Sequence, residues 1–139
     1  MKFIKIEDIK VELKEYITDQ MLDSDYSFLD SIEAAAIERV KSYTSMIVNI
    51  DYELAKLDGL RNPDLVRTIV MIMSYDIEAR LTTGDVRENT LRRYNEALKY
   101  LADIQKKLVL PTWLLRDYSD SETTKSEYYS YARQNQIIY

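Results

Sequence analysis

Residues 61–84 read RNPDLVRTIVMIMSYDIEARLTTG, and this stretch decides the fold class. Asn62 suits a helix cap, Pro63 fits the first helical position where no N–H is needed, and Asp64 favours the positive end of the helix dipole. Val66, Ile69, Val70, Met73, Ile77 and Leu81 then recur at helical spacing, while Ile72, Tyr75 and Ala79 widen the apolar face. Thr82-Thr83-Gly84 closes the run. The stretch predicts a helix from Pro63 to about Leu81 that is the most buried in the molecule.

On its C-terminal side, Asp85 with Glu88 three residues later predicts another helix, carried by Leu91, Tyr94, Leu98, Leu101 and Leu108. On its N-terminal side, Ser27 and Asp30 have capping-box spacing and predict a long helix. Its stripe is Leu29, Ile32, Ala36, Val40, Tyr43 and Ile47, and Ala34-Ala35-Ala36 permits close approach of another backbone. Ile6, Ile9 and Leu13 predict a short first helix over Glu7–Lys14, with Ile17, Met21 and Leu22 leading into a polar turn at Asp23-Ser24-Asp25. Val48–Leu60 fits either a bent helical continuation or a packed loop. Four helices account for the core, and no internal repeat is present.

Composition points the same way. A chain of 139 residues, 46% apolar and 31% charged, suits one folded domain that buries roughly two thirds of its unfolded surface. Two glycines and two prolines are too few for the tight turns of a sandwich or barrel. The expectation is an all-α fold, a small bundle of about four helices over residues 1–115. A tyrosine-rich, polar, extended tail follows over residues 116–139.

Several chemistries are closed to these residues. Without cysteine there are no disulfides or thiolate metal sites, and without histidine there are no histidine-based triads, general bases or imidazole metal sites. Phosphate-cradling glycine loops are missing as well. Asp76 with Glu78, or Asp23 with Asp25, could in principle hold magnesium or act as an acid and base pair. Residues two apart on a helix face different ways, however, so the favoured reading is structural, with Asp76 paired to Arg80 four residues on. No metal, cofactor or catalytic residue is expected, and the chain reads as a non-enzyme. The N-terminus lacks an apolar signal core, and the longest apolar run, Ile69–Met73, is far below the ~20 residues of a membrane span. A soluble, intracellular protein without membrane contact is therefore expected.

The net charge of −5 is uneven: residues 1–58 hold thirteen acids and seven bases, residues 86–109 six bases and three acids. Arg87, Arg92, Arg93, Lys99, Lys106 and Lys107 read as scattered around their helix, suiting an acidic partner better than a DNA groove, since nucleic-acid binders show a dominant basic face. Five tyrosines follow Pro111, more than a small domain needs for folding. Tyrosine and tryptophan are enriched where protein surfaces meet. The candidate oligomer or partner interface is thus Trp113, Leu114, Leu115, Tyr118, Tyr128, Tyr129, Tyr131, Arg92 and Arg93, with Trp113–Leu115 core-facing.

Four motifs in order carry a resemblance. They are Phe3-Ile4-Lys5-Ile6-Glu7-Asp8-Ile9, the helix Ala34–Tyr43, Arg61-Asn62-Pro63 with Asp76 deep in the next helix, and Arg93-Tyr94-Asn95-Glu96-Ala97-Leu98-Lys99-Tyr100-Leu101. Over roughly residues 3–113 the chain resembles the Mu-like phage head-to-tail connector, or head-completion, family. Members often carry a glycine where this chain has Lys106-Lys107-Leu108, and the tyrosine-rich tail is an addition. The resemblance implies a virion protein, assembled in the host cytoplasm of a tailed phage or prophage. It implies a ring of about twelve subunits beneath the portal protein, a heterologous contact that closes on itself. The ring would extend the DNA channel and receive tail or stopper proteins, with DNA only passing through. Two alternatives rest on residues alone: a cytoplasmic helical adaptor or regulatory module binding a single protein partner, and a magnesium enzyme using carboxylates.

Overall fold

The computed structural model is all-helical, and the structure describes residues 1–13, 17, 19, 20 and 27–116. Among these residues the helices are α1 (Ile6–Glu12), α2 (Ser27–Thr44), α3 (Ile50–Leu54), α4 (Pro63–Leu81) and α5 (Glu88–Gln105), with a 3-10 turn at Asp58–Leu60. The polar turn at Asp23-Ser24-Asp25 and the tail beyond Arg116 lie outside the described residues.

Asn62 opens α4 as expected. Its side-chain oxygen accepts the N–H groups of Asp64 at 3.0 Å and Leu65 at 3.3 Å, so two donors that the helix cannot satisfy find a partner. Leu65, Ile69, Val70, Ile72, Met73 and Ile77 are all buried, and α4 packs against α1, α2 and α5. Each such side chain contributes about 1.5–3 kcal/mol by leaving water. Its end is set by Gly84, whose φ of 92° is a left-handed conformation that glycine adopts without a Cβ clash, and whose N–H closes onto Ala79 O at 2.7 Å.

Several expectations change. α5 begins at Glu88 with Arg87, not Asp85, at its cap, because the Arg87 backbone N–H is held by the buried Glu78 carboxylate at 3.1 Å. The buried line of α5 is Thr90, Ala97, Leu101 and Ile104; Leu91 stands beside it and is 42% exposed. In α2, Ala36 is buried but Ala34 and Ala35 face outward. Asp76 does not pair with Arg80: the Arg80 guanidinium lies over the Phe28 ring, 4.8 Å from its centroid. Asp76 lies instead in the field of Arg39 on α2.

Val48–Leu60 is neither a continuous helix nor a plain loop. Val48 forms an isolated antiparallel bridge with Leu115, secured by Asn49 N–H to Leu114 O and Arg116 N–H to Ile47 O, both 2.8 Å. The short α3 follows, with Asn49 as its cap. Its buried Glu53 accepts the Leu114 N–H at 2.9 Å, so this segment is the seat on which the post-α5 chain docks.

Candidate functional site

The acids that composition offered for chemistry are mostly spent on the fold. Glu33, buried on α2, accepts the backbone N–H groups of Lys2, Phe3 and Ile4 at 2.8, 3.2 and 2.7 Å. It holds the N-terminal chain along α2, while Asp30 receives the N-terminal ammonium. Glu78, fully buried on α4, accepts from Arg87 Nε at 2.7 Å and from the Thr90 hydroxyl. Burial pushes its carboxyl upward, but the hydrogen bonds from Arg87 and Thr90 outweigh that and hold it below its usual value. Asp8 follows the same balance: desolvation opposes ionisation, and Arg61, with Nη1 at 2.7 Å, prevails.

Asp76 and Glu78 therefore serve different places, one toward Arg39 and the other toward Arg87. No group of three acidic residues among the described residues is arranged to hold a metal ion. Among the described residues no helix is long and apolar enough to cross a membrane.

The residues expected to meet a partner divide into three sets. Trp113 and Leu115 are buried, as expected of core-facing residues. The Trp113 indole meets the Tyr100 ring edge-on, with centroids 6.1 Å apart, and both rings donate to Asp64. Leu114 does not face the core; it is 43% exposed, because the extended backbone at the Val48–Leu115 bridge turns alternate side chains outward. Arg93 is also a fold contact, reaching Glu12 on α1 at 2.7 Å, whereas Arg92 stands in solvent with a loose 4.0 Å approach to Glu96. Tyr118, Tyr128, Tyr129 and Tyr131 lie outside the described residues.

Two further surfaces went unforeseen. Val11, exposed at 81%, lines a groove of ≈ 650 Å³ between α1, the 3-10 turn and α4, whose rim carries Asp8, Glu12, Asp58 and Arg61. Val66 and Val70 line it, with Arg67 beside them. Val70 is buried and Val66 packs against the core, as helical periodicity read them, whereas nothing in the sequence distinguished Val11 as uncovered. The second surface is the solvent side of α5, where Leu91, Asn95 and Lys99 line a shallow trough.

Comparisons of the chain with family models, curated proteins and solved structures return no match.

Proposed function

We propose that this chain is a structural virion protein, a non-catalytic protomer of the head-to-tail connector of a tailed phage or prophage. It assembles with copies of itself into a ring that extends the portal channel and receives tail or stopper proteins. The reading starts from the resemblance carried by residues 3–113 and rests on one observation: two separate uncovered surfaces, a groove at the exposed Val11 between α1, the 3-10 turn and α4, and the outer side of α5 around the half-exposed Leu91. Arg93 turns toward α1 and the groove at Val11, while Leu91, two residues earlier, is rotated by about 200° at 3.6 residues per turn.

A ring needs two different, mutually complementary patches on each subunit, and a closed contact between them buries both. Two separate uncovered surfaces suit that better than one isolated patch, which suits a single-partner adaptor. The buried acids Glu33, Glu53 and Glu78 support a structural role, since each accepts at least one backbone N–H.

The test is light-scattering mass over a hundredfold concentration range, repeated with purified portal protein, and negative-stain imaging of the heaviest fraction. Rings with a central channel are expected. A strict monomer under every condition overturns the reading in favour of a helical adaptor.

A further inference from the structure

Six cations lie on α5 or flank it, and among the described residues the fold sorts them into engaged and free. Arg87 and Arg93 are drawn inward by Glu78 and Glu12. Lys107 lies past the helix with a left-handed φ of 62°. Arg92, Lys99 and Lys106 remain, all exposed, and seven-residue steps place them within about 40° of one another at 3.6 residues per turn. They point away from the buried line of Thr90, Ala97, Leu101 and Ile104. The three form a straight rail with a repeat of about 10.5 Å, at 1.5 Å per residue. Lys99 and Lys106 make no ion pair among the described residues, and Arg92 has only its loose contact with Glu96.

The chain supplies a matching counterpart. Residues 117–127 contain Asp117, Asp120, Glu122 and Glu127 against the single base Lys125, interleaved with Tyr118 and small polar residues. Three residues of extended chain cover about 10 Å, so Asp117 and Asp120 can be carried at the rail's own repeat. The segment follows directly on Arg116, which is anchored to Ile47 beside the exposed Leu114. The 23 residues beyond Arg116 reach about 75 Å when extended, ample to cross to a neighbouring subunit.

We infer that the acidic stretch 117–127 of one chain lies along the Arg92–Lys99–Lys106 rail of a second copy, a tether between neighbouring subunits. This inference rests on the ring reading for its second copy. Duplex DNA is the poorer occupant, because Glu88, Glu96 and Asp103 share the helix with the rail and the whole chain is acidic.

The test uses the full chain, mixed one to one as isotopically heavy and light protein, treated with a carbodiimide that joins carboxylates to amines and analysed by mass spectrometry. Mixed-isotope links from Lys99 or Lys106 to Asp117, Asp120 or Glu122 are expected. The triple variant R92E/K99E/K106E should weaken assembly about tenfold by light scattering, the scale of a few exposed ion pairs together. Adding D117K/D120K/E122K to that variant should restore it. Links confined to one isotope, or none in a sample that forms rings, overturn the tether and leave the ring reading standing. A chain that neither assembles nor gives mixed links removes both. Rail-dependent binding of a fluorescent DNA duplex, unaffected by the tail substitutions, assigns the rail to nucleic acid and also overturns the tether.

Discussion

Trp113 donates its indole N–H to Asp64 Oδ2 at 3.1 Å, and the Tyr100 hydroxyl donates to the same oxygen at 2.7 Å. One carboxylate in the first turn of α4 thereby ties down the last turns of α5 and the chain that follows. Trp113→Ala should cost about 3–5 kcal/mol, the range for deleting a buried large aromatic. Trp113→Phe should cost less, since the ring stays and Tyr100 still serves Asp64. Urea unfolding followed by circular dichroism measures both; equal losses would refute the ring's packing contribution, and a Trp113→Phe variant as stable as the parent would refute the hydrogen bond's part.

Glu78 sets an acid limit on stability. Its carboxyl is held below the usual value of 4.5, so its contribution is present above that value and is lost as the pH falls through the lowered one. Arg87→Met should cost about 3 kcal/mol at neutral pH by stranding a buried charge. The gap to the parent should narrow toward acid, where Glu78 is protonated in both proteins. Melting curves recorded from neutral pH down into the acid range read this directly; a pH-independent gap would sink it.

Asp76 has the opposite sign. Desolvation raises its carboxyl above 3.8, with Arg39 only partly offsetting the effect, so the folded state holds the proton more tightly than the unfolded one. Its ionisation opposes folding as the pH rises past 3.8, and Asp76→Asn should raise the melting temperature at pH 7. The gain should disappear below about pH 4, where the unfolded chain is protonated too. An unchanged or lowered melting temperature at pH 7 would show that the charge matters to the fold in another way.

Deleting residues 117–139 should leave helicity and melting close to the parent, because Trp113, Leu115 and the Val48 bridge all precede the cut. The same deletion should abolish ring assembly. Rings of truncated protein under the electron microscope would remove the tail from the assembly contact.

The helices were legible in the residues because their signals are local. Asn62-Pro63-Asp64 and Thr82-Thr83-Gly84 bracket α4 as read, and helical spacing correctly picked out Ile69, Met73, Ile77 and Leu101. Local signals also misled. Asp85 has cap chemistry, yet α5 starts at Glu88, because Glu78, nine residues before Arg87, takes hold of its backbone. Asp76 and Arg80 have ideal helical spacing, yet Arg80 gains more contact over Phe28. Of the candidate interface, Arg93 is a fold contact, and Leu114 turns outward where Trp113 and Leu115 face the core as read.

The sequence by itself determined the all-helical class, the bounds of the central helix and the chemistries that a chain without histidine or cysteine cannot perform. Each of these depends on composition or on residues within a few turns of one another. Only the tertiary structure decided which carboxylates are buried and what they hold. Glu33 meets Lys2–Ile4, Glu78 meets Arg87 and Thr90, and Asp64 meets Tyr100 and Trp113. It also decided that Arg92, Lys99 and Lys106 are left in solvent while Arg87 and Arg93 are not. Burying a charge costs several kcal/mol unless a partner meets it, and whether one does depends on how distant segments pack. Periodicity reports which side chains share a face; it is silent on what that face will meet.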